Sequence, residues 1–302
     1  MRTIINIVTA AALTVGLCGC AAGSSGAHLG GRLAVVAAEN FWGSIAAQVA
    51  GERAEVVSLV SNPGTDPHDY EATPEDSRAV AEADYVIVNG AGYDRWASQL
   101  VDANPSSSRR VLTVAELAGR HEGDNPHMWY SPAIVRMVVD RVAADLSRLD
   151  AADSAVFAQQ RQHFLGVALA RYDALRARIR QRYAGVAVGA TESIVVDLAG
   201  DLGLRLLTPP GYMTAIAEGD DPSSQDRSTA DEQLVQRRVA VLMLNVQNQS
   251  SDVQRLVDHA RAARIPVVDV TETLYPASAT FEDWQARQLA DLAAALARAT
   301  GR

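Results

Sequence analysis

Apolar positions along the chain fall into two alternating rhythms, short unbroken runs and longer stretches at helical spacing, and the alternation predicts strands followed by helices. In the first half the runs at 32–38, 55–60, 83–89 and 110–114 read as strands. Helical spacing follows 32–38 to about residue 50, and recurs at 73–82, 93–103 and 133–149. Thr73-Pro74-Glu75-Asp76 is a helix start with a cap, a first-turn proline and acidic residues beside the positive end of the helix dipole. A strand, helix, strand order of this kind implies a parallel sheet built from βαβ units.

Residues 154–183 then carry a helical pattern with no proline and only Gly166, long enough to span on the order of 45 Å. That length exceeds the needs of one small domain, so the segment reads as a spine between two lobes, the alternative being a long surface helix within one domain. The second half restarts the first rhythm: strands at 186–190, 204–207, 239–245 and 266–270, helices at 194–202, 224–237, 253–263 and 281–299, and a loop at Pro209-Pro210-Gly211. The expected fold class is α/β: two lobes with parallel sheets flanked by helices, joined by a long spine helix. The expected division is a signal segment at 1–19, a tether at 20–31, a first lobe at 32–150, the spine at 151–184 and a second lobe at 185–302.

The start of the chain changes the compartment. Met1-Arg2-Thr3 precedes an apolar run to Leu17, too short for a confident membrane span and fitting a secretory signal. Leu17-Cys18-Gly19-Cys20 resembles the bacterial lipoprotein box, in which cleavage precedes a cysteine that then carries lipid; Cys20 matches it, against the alternative of a plain cleaved signal peptide with an incidental cysteine. With Cys18 removed, one of the two cysteines remains and no intrachain disulfide is possible. Two or more acyl chains hold a protein at a membrane better than one, and the small residues 21–26 fit a flexible tether.

The 302 residues, 48% hydrophobic, can bury a large core in about two domains. A net charge of −9 argues against a nucleic-acid partner, because little here would neutralise phosphates.

The candidate chemistry centres on Thr65-Asp66-Pro67-His68-Asp69-Tyr70-Glu71, where a proline stiffens the turn that presents a histidine. The same grammar returns at Asn125-Pro126-His127-Met128-Trp129-Tyr130. In the second half, Glu192 and Glu272 each lie just beyond a predicted strand, where α/β sheets place their ligands. Two imidazoles and two carboxylates form a set suited to Mn, Fe or Zn. The residues leave alternatives open: backbone-bonded loop histidines, a helix-capping Glu192, an ordinary loop acid at Glu272. Asn245-Val246-Gln247-Asn248-Gln249 either supports the carboxylates by hydrogen bonds or forms a plain turn.

Asp66-Pro67-His68-Asp69-Tyr70-Glu71 with Pro74-Glu75-Asp76, Ala83-Asp84 before a strand ending in Asn89-Gly90, and Asn125-Pro126-His127-Met128-Trp129 resemble the cluster A-I zinc and manganese solute-binding proteins of ABC importers. The likeness runs from about Arg32 to Ala299. It implies His68 and His127 as the first two metal ligands and Glu192 as the third, which is Glu in many manganese-type members and His in zinc-type ones. The fourth is usually Asp; Glu272, one methylene longer, matches best, with Asp269 as the substitute. The His-rich acidic loop of many zinc-type members is reduced here to His121 among Arg120, Glu122 and Asp124, which leans towards manganese without deciding, since such N/O sites bind zinc more tightly by intrinsic affinity.

The resemblance implies a monomeric, extracytoplasmic receptor, anchored to the membrane through Cys20, that captures Mn or Zn and hands it to an ABC permease and its ATPase. A Walker-type phosphate loop is not found in the sequence, which assigns ATP chemistry to partners. The alternatives are a secreted metallohydrolase, with Asp66, Asp69 or Glu71 as the base, and a surface adhesin with a structural metal.

Overall fold

β1 (Leu33–Glu39) is buried along nearly its whole length, the mark of a strand covered on both faces. In the computed structural model, which describes residues 31–65, 67, 68 and 70–302, it sits inside a four-stranded parallel sheet. Cys20, the segment 1–19, all of the tether but Gly31, Asp66 and Asp69 lie outside the described residues.

The first half continues through α1 (Asn40–Ala50), β2 (Ala54–Val60), α2 (Pro74–Glu82), β3 (Tyr85–Val88), α3 (Arg95–Ala103), β4 (Arg110–Thr113), α4 (Val114–Ala118) and α5 (Pro132–Leu149). α6 (Ser154–His163) and α7 (Ala170–Tyr183) form the long helical segment. The second half holds β5 (Ala187–Ala190), α8 (Val196–Asp201), β6 (Arg205–Leu206), α9 (Pro210–Ala217), α10 (Ser224–Val235), β7 (Leu242–Asn245), α11 (Ser251–Ala262), β8 (Val267–Val270) and α12 (Phe281–Thr300).

The sheet orders are β2-β1-β3-β4 and β6-β5-β7-β8, all pairings parallel. In each, the chain moves outward one way and then crosses back, so the order reverses beside β1 and beside β5. A crevice opens at the carboxyl ends of strands at such a reversal.

Local chemistry sets several boundaries. Thr73 and Asp76 close a reciprocal capping box at the start of α2, with Pro74 in the first turn, as the sequence predicts. Two details differ from expectation. Pro209-Pro210 is not a loop but the entry to α9, Pro210 taking the first helical position where its missing N–H costs nothing. The segment between α6 and α7 is a π turn, Phe164–Ala168, rather than regular α-helix.

One apolar core runs through both halves, including Trp42, Trp129 and Tyr130 from the first and Leu274, Phe281 and Trp284 from the second. Polar bonds fasten the same seam: Asn40 Oδ1 accepts from Leu274 N at 3.1 Å, Ser44 Oγ from Phe281 N at 2.9 Å, and Gln48 donates to Glu282 at 2.9 Å. At the amino edge of the first sheet, the buried Asp145 carboxylate meets Arg110, Arg141, Arg148 and the Tyr85 hydroxyl. Among the described residues, no helix is long and apolar enough to cross a membrane.

Candidate metal centre

His68 follows β2 through a loop pinned by Trp96, whose indole N–H donates to the Pro67 carbonyl at 3.0 Å. The Tyr93 ring packs edge-on against its imidazole, the ring centres 4.4 Å apart.

His127 arrives from the same half of the chain, on a turn tied into the first sheet. Asn89 donates to the Pro126 carbonyl at 2.9 Å, and Trp42 Nε1 donates to Asn89 Oδ1 at 3.0 Å. Asn89-Gly90 turns sharply: Gly90 has φ +79°, and a Cβ there would fall 2.7 Å from Thr113 and 2.9 Å from Ala115, so only glycine fits. Asn125 Nδ2 donates to the Ser193 carbonyl, which turns Oδ1 towards His127 Nδ1 at 2.7 Å. Nδ1 therefore carries the proton, and Nε2, buried and without a hydrogen-bond partner among the described residues, keeps its lone pair. Burial first, then the His68 imidazole, hold His127 well below the usual histidine range, in the neutral form a metal ligand requires.

The carboxylates come from the second sheet. Glu192 lies two residues beyond β5 and Glu272 two beyond β8, both buried. Glu192 does not cap the short helical turn that follows it; its oxygens accept instead from Asn245 Nδ2 at 2.7 Å and Asn248 Nδ2 at 3.3 Å. Glu272 accepts from Asn245 Nδ2 at 2.9 Å and from the Tyr93 hydroxyl at 2.8 Å, and its own N–H donates to Gln247 Oε1. Asn245 and Asn248 thus bond the carboxylates while Gln247 holds the Glu272 backbone, which decides between the two readings of that segment.

One candidate ligand atom from each of His68, His127 and Glu272 lies within 4.8 Å of the others. Glu192 joins this group through the shared Asn245 nitrogen. Asp269 does not: it lines a separate cavity of about 740 Å³ with Trp284, Arg287 and Asp291, and burial and the Asp291 charge push its carboxyl up. The candidate centre opens instead to a cleft of about 400 Å³ over His68, edged by Arg95, Glu122, Asp124 and Glu218.

Sequence reasoning missed a buried acid pair behind the centre. Glu39, at the end of β1, is fully buried, its carboxyl pushed well up by burial, then by Asp94. Its oxygens meet no N–H or O–H donor among the described residues. Asp94 accepts from the Asn89 and Gly90 amides, which opposes the upward push of its own burial. Glu39 is thus the member that holds the proton. An acid at the end of an otherwise apolar strand was the available signal.

A family model described as zinc-uptake complex component A, periplasmic, matches residues 35–295. The manganese ABC transporter substrate-binding lipoprotein PsaA of Streptococcus mitis is 32% identical over 147 residues, 44% of this chain and 47% of that protein. The manganese-binding lipoprotein MntA of Halalkalibacterium halodurans is 29% identical over 153 residues, 49% of this chain and 50% of that one. The chain spans about half the length of the curated relatives it matches. Among solved structures, the Mn-bound periplasmic metal binding protein from Candidatus Liberibacter asiaticus superposes with a TM-score of 0.73 at 18% identity, covering 88% of this chain and all of that one. The periplasmic zinc binding protein TroA from Treponema pallidum gives 0.71 at 21% identity, covering 88% of this chain and 99% of that one. At these identities the likeness is one of fold.

Proposed function

Because the chain belongs to the zinc-uptake complex component A family, whose model it matches over residues 35–295, we propose that it is a receptor that binds a divalent transition metal, Mn or Zn, and delivers it to an ABC permease driven by an ATPase. The observation that carries this reading is the convergence of His68, His127 and Glu272 within 4.8 Å, with Glu192 joined to them through Asn245. Two neutral imidazoles and two carboxylates around a divalent ion sum to zero charge. That balance makes it possible to bury the ion in a crevice at modest electrostatic cost.

Each residue has a defined part. His127 presents Nε2 from a ring fixed by Asn125; His68 is steadied by Tyr93 and the Pro67 turn; Glu192 and Glu272 supply oxygens whose orientation Asn245, Asn248 and Tyr93 set. Protons compete with the metal for the imidazoles and carboxylates, so affinity falls in acid. The finer parts of the reading are a monomer held at the outer face of the membrane by lipid on Cys20. A hydrolase is less well supported: it needs an open coordination position and a base beside bound water, and Glu71, of the nominated bases, is exposed.

Elemental analysis of the chain lacking residues 1–20, followed by competitive titration with zinc and manganese, tests the reading. About one equivalent of metal, lost in His68→Ala and in His127→Ala, is expected. Stoichiometric binding of neither ion overturns it.

A further inference from the structure

The loop that carries His127 is joined at two points to the segment that begins with Glu192. Asn125 Nδ2 donates to the Ser193 carbonyl at 2.9 Å. Further out, the Arg120 guanidinium meets the Asp197 carboxylate, one nitrogen lying 3.3 Å from Oδ1 and 3.1 Å from Oδ2. Both bonds cross from the first half of the chain to the second, and they pair the two segments in opposite directions, 120 with 197 and then 125 with 193. Continued inward, the same register leads to His127 on one segment and Glu192 on the other. Ser193 Oγ, 3.4 Å from His127 Nδ1, lies along that line.

Both ends of the outer pair are rooted. Arg120 follows Gly119, which ends α4 at φ +66°, and the Arg120 N–H donates to the Ala115 carbonyl at 2.8 Å. Asp197 is the second residue of α8. The residues between the two points close on themselves: His121 N–H donates to Asp124 Oδ2 at 2.8 Å, and Asp124 N–H to the His121 carbonyl at 3.1 Å. A displacement at residue 120 is therefore passed to residue 125 rather than lost in a slack loop. The Arg120 and Asp197 side chains are 31% and 20% exposed, so salt screens the pair only in part.

From this two-point register we infer that Arg120 and Asp197 are positioning residues for the metal centre. Their ion pair sets the spacing at which Asn125 reaches Ser193, and through Asn125 the angle at which His127 presents Nε2. The Asn125 amide has its two ends committed to different halves of the chain, Nδ2 to the Ser193 carbonyl and Oδ1 to His127 Nδ1 at 2.7 Å. A shift of one segment against the other either breaks the first bond or turns the imidazole through the second. An ion pair suits the outer position, because its attraction fades slowly with distance while the inner hydrogen bond is lost over a much shorter range. The inference rests on the receptor reading and names residues outside its ligand set.

The test reverses each charge and then exchanges them, as Arg120→Asp, Asp197→Arg and the double variant, in the otherwise unaltered chain. Zinc and manganese affinities are measured one metal at a time, by competition with a chelating indicator. The electrostatic field alone would raise affinity in Arg120→Asp, which adds negative charge near the centre, and lower it in Asp197→Arg. Positioning predicts a loss in both, on the order of tenfold, the low end of the range for outer partners of metal ligands. The exchanged pair is expected to recover to within about twofold of the parent, and in an Asn125→Ala background each reversal to cost little more, since the connection to His127 is already cut. Arg120→Gln and Asp197→Asn, expected to give smaller losses of the same sign, replace any reversed variant that does not fold. Opposite signs in the two reversals, no change in either, a loss that exchange does not repair, or full additivity with Asn125→Ala overturns the inference while leaving the receptor reading intact. If the unaltered chain binds neither ion, both fall.

Discussion

The Tyr93 hydroxyl donates to Glu272 Oε2 at 2.8 Å, a bond that crosses from the first half of the chain to the second inside the candidate centre. The same ring flanks His68, so one residue of the first half steadies a ligand candidate from each side of the crevice. Tyr93→Phe keeps the ring and removes the bond. Metal affinity is expected to fall on the order of tenfold, while the metal-free chain loses only about 1 kcal/mol; titration and denaturant unfolding of the same variant measure the two effects.

Glu272→Ala and Asp269→Asn separate the two candidates for the fourth ligand. Asp269 lines the other cavity and Glu272 lies with the histidines. Glu272→Ala is expected to lower affinity more than the roughly 10–100-fold loss typical of an outer partner, and Asp269→Asn to leave it unchanged. Full binding by Glu272→Ala would remove that residue from the ligand set.

Glu39 makes stability depend on pH in a definite direction. Burial and Asp94 raise its folded pKa well above the unfolded value, which is about 4.3. Its contribution is therefore complete below that value and is lost as pH rises through the folded pKa, because the proton must then leave a buried group. Glu39→Gln stays neutral throughout. It is expected to melt above the parent chain at pH 8 and close to it at pH 4, as thermal unfolding at the two pH values will show.

Asp145 provides a control far from the centre. Its carboxylate is 1% exposed and bonded by Arg110, Arg141 and Arg148, whose side chains are 38–59% exposed. Asp145→Ala is expected to cost about 2–3 kcal/mol, below the usual figure for a broken buried pair because the guanidinium groups reach water. Metal affinity should not change, and equilibrium unfolding with parallel titration checks both halves of the statement.

The parts of this arrangement that local sequence encodes were legible in it. A proline before each histidine stiffens a turn whatever the rest of the chain does, and strand ends mark where Glu192 and Glu272 emerge. For Asn245 the sequence offered two readings, support for the carboxylates or a plain turn, and could not choose between them, because the choice depends on β7 lying between β5 and β8, a sheet order that no local pattern states. Glu39 and Asp94 escaped notice for a related reason: each looks like an ordinary helix-start acid until burial makes them neighbours. At α9, two prolines and a glycine read as a loop although Pro210 is well suited to a first helical turn.

The uninterrupted core that joins Trp42 and Trp129 to Leu274 and Trp284 bears on how the chain comes apart. Halves with separate interiors would melt in two steps, whereas a shared interior couples them into one cooperative transition. An ion held in the crevice then protects more than its own ligands. Its binding free energy is added to the opening of the whole molecule, and protease attack at sites tens of residues from the crevice slows when the crevice is filled.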